Sequence, residues 1–286
     1  MTPSMEDSKA VKMLKASGEG GYGVVGVYSL ETITAVVRAA ESKKSPAQIL
    51  LFPWDLHYSP LLIHLAAAAC STVKVPITPH MDHAQSEDEI VQVADYQFDS
   101  IMVDMSHYEK DEDLEKTVRI TRMLHERGIA TEVEPGRINK GDGGAMGGRG
   151  WIRDTGDLEV LLTTGEEASR FVATGIDFLA PAFGNVHGKY GGTENIKLQY
   201  DRYAAFKFCK AGFTREATKG KCSLVLHCTN TFRTKIMQKC IKGEENTGKV
   251  PLMELMGKGT DLIQQELEYK MDVMGSSGKA SVVSCK

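Results

Sequence analysis

The chain of 286 residues lacks a basic excess: Lys and Arg number 34 against 38 Asp and Glu, for a formal charge of −4. It has no basic stripe either, so the electrostatic footprint of a nucleic-acid binder is missing. Long apolar runs are also missing. The longest, 61–70, is about half of the ~20 residues a membrane-spanning helix needs, and it reads as a buried helix. Residues 1–15 carry acids and lysines and lack the apolar core of a signal peptide. The six cysteines (Cys70, Cys209, Cys222, Cys228, Cys240, Cys285) form no CxxC pair and fit free thiols in a reducing compartment better than a disulfide framework. These absences point to a cytoplasmic protein that engages neither nucleic acid nor membrane.

What is present is alternation. Short β-branched runs recur at 23–28, 48–52, 73–78, 100–104, 129–134, 176–180 and 223–226. Amphipathic stretches lie between or after them: one opened by Ser29, then 61–70, one opened by Ser86, 111–127 stopped by Gly128, 165–174, 198–210, 232–242 and 251–274. Regular βα alternation over this length predicts parallel strands with helices outside. Seven strands are countable, and an eighth would complete a (β/α)8 TIM barrel. No linker or composition shift divides the chain, so one domain over 1–286 is expected, with 1–20 an N-terminal extension or helix.

In such barrels the reactive groups sit where strands end and βα loops begin. Polar clusters fall there: His80-Met81-Asp82-His83 after strand three, Asp104 and Ser106 after strand four, Glu132-Val133-Glu134 at the end of strand five. Strand six runs into Gly184-Asn185-Val186-His187-Gly188, and strand seven ends at His227. One histidine at a strand end is more often a hydrogen-bonding residue than a ligand. Three at one rim, with Asp82 beside one of them, can converge on a tetrahedral ion that keeps a vacancy for water or substrate. His57, His64, His107 and His125 do not share this pattern, and His125, in a charged helix, reads as a solvated surface residue. The Gly-rich stretch 141–150 lacks the strand-to-helix context of a nucleotide cradle and reads as a mobile loop over the site.

The string Ala180-Pro181-Ala182-Phe183-Gly184-Asn185-Val186-His187-Gly188-Lys189-Tyr190 closely resembles the sixth-strand signature of class II, zinc-dependent fructose-bisphosphate aldolases. His80-x-Asp82-His83, Met102-Val103-Asp104-Met105-Ser106, Glu132-Val133-Glu134-Pro135-Gly136-Arg137 and Leu224-Val225-Leu226-His227 match further blocks in order and spacing. The resemblance covers roughly 22–280. It implies that His83, His187 and His227 bind zinc, with Glu134 near enough to approach the ion or order the site. Asp82 aligns with the acid/base that exchanges a proton with the C4 hydroxyl, and Asp104 with a carboxylate near the metal. By the same resemblance Gly188, Lys189, Asn230, Asp104 and Ser106 serve the phosphorylated sugar, and a monovalent cation (Na+ or K+) sits near Gly188. The resemblance further implies a homodimer or homotetramer.

Departures from the family pattern are equally legible. Gly26 stands where an Asn is usual, and Phe52-Pro53-Trp54-Asp55 replaces a Ser near a Gly-Ala pair, a bulky turn that should reshape the pocket floor. Cys228-Thr229-Asn230-Thr231 replaces a Gly-Gly-Ser-Gly phosphate cradle, in which small residues let backbone N–H groups face the phosphate. After Gly243 the eighth-strand motif is missing, with roughly 20 residues fewer than the family pattern, so the barrel is incomplete at that strand. Residues 206–213 look like an insertion. The junction at 243–250 is either a genuine feature of the chain or an artefact of the gene model. The sequence therefore points to a fructose 1,6-bisphosphate aldolase. The alternatives are a tagatose-bisphosphate or other ketose-phosphate aldolase, or a catalytically inactive zinc-binding barrel acting as a binding protein.

Overall fold

The computed structural model describes residues 5–27, 30–136, 162–185, 198–199, 222–227 and 260–282. Seven parallel strands form one sheet in which spatial order equals chain order: β1 (Val25–Val27), β2 (Ala47–Leu51), β3 (Ile77–Ala84), β4 (Ser100–Val103), β5 (Ala130–Val133), β6 (Phe178–Leu179) and β7 (Ser223–Leu224). Among the described residues, the crossovers from β1 to β6 carry helices, the usual connection between parallel neighbours. Helix α2 (Leu30–Lys43) joins β1 to β2, α3 (Pro53–Tyr58) and α4 (Leu61–Thr72) join β2 to β3, α5 (Glu87–Val93) joins β3 to β4, and α6 (Lys110–Glu126) joins β4 to β5. Helix α7 (Gly165–Ala173) precedes β6, and α8 (Thr260–Val273) follows β7. The anticipated eighth strand, helices 198–210 and 232–242, the Gly-rich stretch and the 206–213 insertion lie outside the described residues.

Helix α8 packs chiefly on α2 and also touches β1. The Lys43 ammonium pairs with Asp272 at 2.7 Å, the Gly23 N–H donates to the Met274 carbonyl, and the Ser45 hydroxyl donates to Ser276 at 2.7 Å. The end of the chain thus returns beside its first strand, where the last helix of a (β/α)8 ring belongs. An N-terminal helix, α1 (Lys9–Gly20), ends on Gly21, whose φ of 64° is the left-handed cap that glycine adopts without a Cβ clash. Ala10 packs with Ala130 and Phe178, residues at the starts of β5 and β6, and Lys9 donates to the carbonyl of Ile77 at the start of β3. Helix α1 therefore plugs the N-terminal end of the strands.

Three expectations are corrected. Strand three was expected at 73–78 but runs over Ile77–Ala84, every residue of it buried. His80, Asp82 and His83 therefore lie within the strand rather than after it; flanking strands pair its backbone, and Ser100 and Asp104 partner the His80 and His83 rings. Residues 53–58 form a helix instead of a plain turn, with Pro53 at its first position and the Asp55 carboxylate accepting the Phe52 N–H at 2.8 Å. His125 is not a solvated surface residue: it is half-buried, and its Nε2 lies 2.8 Å from Asp177 Oδ2. The Ser86 cap holds as expected, its hydroxyl accepting the Glu89 N–H at 3.2 Å. Cys70 and Cys222 are free thiols, and burial pushes Cys70 up to about 12. Among the described residues no helix is long and apolar enough to cross a membrane.

Candidate active site

Adjacent residues of a regular strand point to opposite faces, yet Asp82 and His83 both turn toward the same buried cluster. A register irregularity permits this. Met81 pairs with Ile101 and Ala84 with Val103, so β3 carries one residue more than β4 across the interval. His83 absorbs the extra residue with a φ of 51°, in the left-handed region that few residues other than glycine adopt. Such strain is tolerated where surrounding contacts fix the side chain. Here they do.

The His83 ring is fully enclosed. Its Nδ1 lies 2.9 Å from Asp104 Oδ2, and Nε2 lies 3.9 Å from Asp82 Oδ1. Asp104, just past β4, also accepts from Gln85 Nε2 at 2.9 Å and from the Ser106 hydroxyl and N–H at 2.6 and 3.3 Å. Burial opposes its charge, but the His83 contact and these donors outweigh burial and hold its carboxyl below the usual range. Burial likewise opposes a charge on His83, and Asp82 and Asp104 overcome it, raising the imidazole to about 9. Glu134 Oε2 stands 4.0 Å from His83 Nδ1.

Across the barrel, His227 follows β7, and its ring meets His83 edge-on with centroids 5.0 Å apart. Its Nε2 lies 2.8 Å from Glu132 Oε1. Burial opposes a charge on this ring too, but Glu132 and Asp82 raise it to about 9. His80 differs: burial dominates and lowers it despite the nearby Glu132 and Asp82. Ligand atoms of Asp82, His83 and His227 all fall within 4.8 Å of one another, as do those of His83, Asp104 and Glu134. The first set is the more coherent donor set. It can use His83 Nε2 while the Nδ1–H donates to Asp104, the arrangement in which a carboxylate orients a ligating imidazole.

One wall of the cluster is aromatic. Phe52, just beyond β2, lies parallel to the His83 ring at 6.5 Å and stacks on Trp54 at 4.3 Å, making a slab of three parallel rings. Trp54 is 40% exposed, so the slab runs from the buried imidazole to solvent. Asp82, His83, Asp104, Ser106, Glu134 and His227 are thus brought to one rim. His187, Gly188, Lys189 and Asn230 lie outside the described residues. Sequence reasoning named Glu132 and His80 in the polar clusters without giving either a role, and passed over Gln85. Glu132 was legible by strand periodicity, since it sits two residues before Glu134 and so shares its face.

The class II fructose-bisphosphate aldolase family model matches residues 8–249. The chain belongs to this family. A Coccidioides immitis (strain RS) protein that carries the provisional name fructose-bisphosphate aldolase is 41% identical over 308 aligned positions, covering 97% of both chains. A crystal structure of a provisionally named fructose-1,6-bisphosphate aldolase from Coccidioides immitis superposes with a TM-score of 0.79 at 40% identity, covering 97% of this chain and 99% of that one. The fructose-bisphosphate aldolase of Streptococcus pyogenes serotype M1 is 34% identical over 63% of this chain and 60% of its own. Because 308 aligned positions exceed the 286 residues present, the Coccidioides protein carries at least 22 residues without a counterpart in this aldolase.

Proposed function

We propose that this aldolase is zinc-dependent and reversibly cleaves fructose 1,6-bisphosphate to dihydroxyacetone phosphate and glyceraldehyde 3-phosphate, on one domain of (β/α)8 type that is short of its eighth-strand motif. The observation that carries the reading is the convergence of Asp82, His83 and His227, with each imidazole tied to a buried carboxylate. Imidazoles held in this way by a second row of carboxylates suit a catalytic zinc ion. His83 and His227 would hold it, with His187 as the third imidazole and Glu134 close by. When bound, zinc supplies Lewis-acid stabilisation to the substrate oxygens beside the breaking C3–C4 bond.

The chain's own residues do the rest. Asp82 takes the proton from the C4 hydroxyl in cleavage and returns it in condensation. Asp104, itself held by Ser106 and Gln85, keeps His83 in one orientation beside the substrate. Gly188, Lys189 and Asn230 bind the phosphorylated sugar, with Na+ or K+ near Gly188. The family likeness and the scattered cysteines favour a cytoplasmic homodimer or homotetramer.

Tagatose bisphosphate differs only at C4 and is the nearest alternative substrate. The shortfall of at least 22 residues favours a second reading, a zinc-binding barrel without turnover. Cleavage of fructose 1,6-bisphosphate, before EDTA, after it, and with zinc restored, separates these readings. Activity lost to EDTA and rescued by zinc supports the first. A folded, zinc-loaded protein inert toward both bisphosphates supports the second.

A further inference from the structure

Three hydrogen bonds and one longer ion-pair contact connect side chains from β2 to the end of β7. Gln48 Nε2 donates to Ser100 Oγ at 3.3 Å. The Ser100 hydroxyl is also hydrogen-bonded to His80 Nδ1, 2.7 Å away. His80 Nε2 faces Glu132 Oε2 at 3.7 Å. The other carboxylate oxygen, Oε1, lies 2.8 Å from His227 Nε2. All five side chains are buried, and an ionised carboxylate can only accept. The Glu132–His227 bond therefore has a fixed direction: the carboxylate accepts and His227 Nε2 donates.

We infer that Glu132 is a positioning residue that holds the proton of His227 on Nε2 and so presents Nδ1 as the nitrogen available to a metal ion. His80, itself tied to Ser100 and through it to Gln48, stands beside the second oxygen of Glu132. Neutral imidazole offers one lone pair, and the nitrogen that carries it is decided by the bond the other nitrogen makes. The inference rests on the metal reading of the site given above.

The test loads the full-length protein, labelled with 15N-histidine, with 113Cd and reads the scalar coupling from cadmium to each ring nitrogen of His227. Coupling to Nδ1 is expected, and coupling to Nε2 overturns the inference while leaving the metal reading intact. Zinc affinity, measured by chelator competition, follows on Glu132→Gln. This variant must turn an NH2 group toward one of the two histidines, and about a 10–100-fold loss is expected. An affinity within twofold of the parent overturns the inference. Ser100→Ala, which spares Glu132 but releases His80, should lower affinity by a smaller factor; no change there removes the upstream chain from the account. If Glu132→Gln fails to fold, the coupling in the unaltered protein still decides. If that protein binds neither metal, the metal reading falls and the inference with it.

Discussion

The two ends of the same seven strands are built from opposite materials. At the N-terminal end Ala10 meets Ala130 and Phe178, flanked by Val11, Leu14 and Val225, and α1 closes the strands with apolar side chains. At the other end Asp82, His83, Asp104, Glu132, Glu134 and His227 are buried together. Apolar burial needs no partner of a particular kind, whereas every buried charge needs a named one. The plug should therefore govern stability and the polar rim chemistry. A residue that moves one property should leave the other nearly untouched.

Asp82→Asn should break the rim most severely. Asparagine occupies the same space but cannot exchange the proton, and general acid–base groups contribute about 10²–10⁴-fold. Turnover per bound zinc should fall within that range in a protein that still folds. A rate per bound zinc within twofold of the parent would remove Asp82 from the proton transfer.

The counterpart at the other end is Met13→Ala. Met13 is wholly enclosed on α1, one turn beyond Ala10, and truncating such a side chain costs about 2–5 kcal/mol. Urea denaturation should register that loss. Zinc affinity should stay at the parent value.

A smaller effect separates the ends by pH. In the metal-free protein His83 and His227 are raised to about 9, so their stabilising contribution is complete below the ordinary histidine value near 6.5 and fades as pH rises through about 9. Asp104 is depressed, so its contribution is present above the ordinary aspartate value near 3.9 and is lost as pH falls below it. Metal-free protein should then melt at a lower temperature at pH 9 than at pH 6. Zinc affinity should rise over the same interval, because the ligating nitrogens must release protons. Met13→Ala should shift both melting curves down without altering their pH dependence.

The sequence disclosed these two ends unequally. Alternation and the motif blocks located six of the seven strands, set the third several residues too early, and placed Asp82, His83, Asp104, Glu134 and His227 at one rim. Motif matching could not locate the bulge that turns Asp82 and His83 the same way, because it arises from pairing with β4 rather than from local propensity. Nor could it find the role of Glu132, whose partners His80 and His227 are 52 and 95 residues away in the chain and become neighbours only when β3, β5 and β7 are assembled. The plug was legible only as an extension or helix. Its face is apolar enough to bury, but nothing local states which end of a barrel it covers.

His125 sharpens the comparison at its smallest scale. A charged helix suggested solvent, yet the ring reaches Asp177, whose carboxylate also accepts the Thr131 N–H at 2.8 Å near the starts of β5 and β6. Unlike the rim, this polar contact is a single pair with a backbone anchor, outside any chain of titrating groups. His125→Ala leaves Asp177 still bonded to Thr131, so only the net value of one hydrogen bond should be lost, about 0.5–1.5 kcal/mol. Denaturation should read that small loss with turnover and zinc affinity unchanged. A larger loss accompanied by weaker zinc binding would mean that the starts of β5 and β6 transmit their order along the strands to Glu132, and the two ends would have to be treated as one unit.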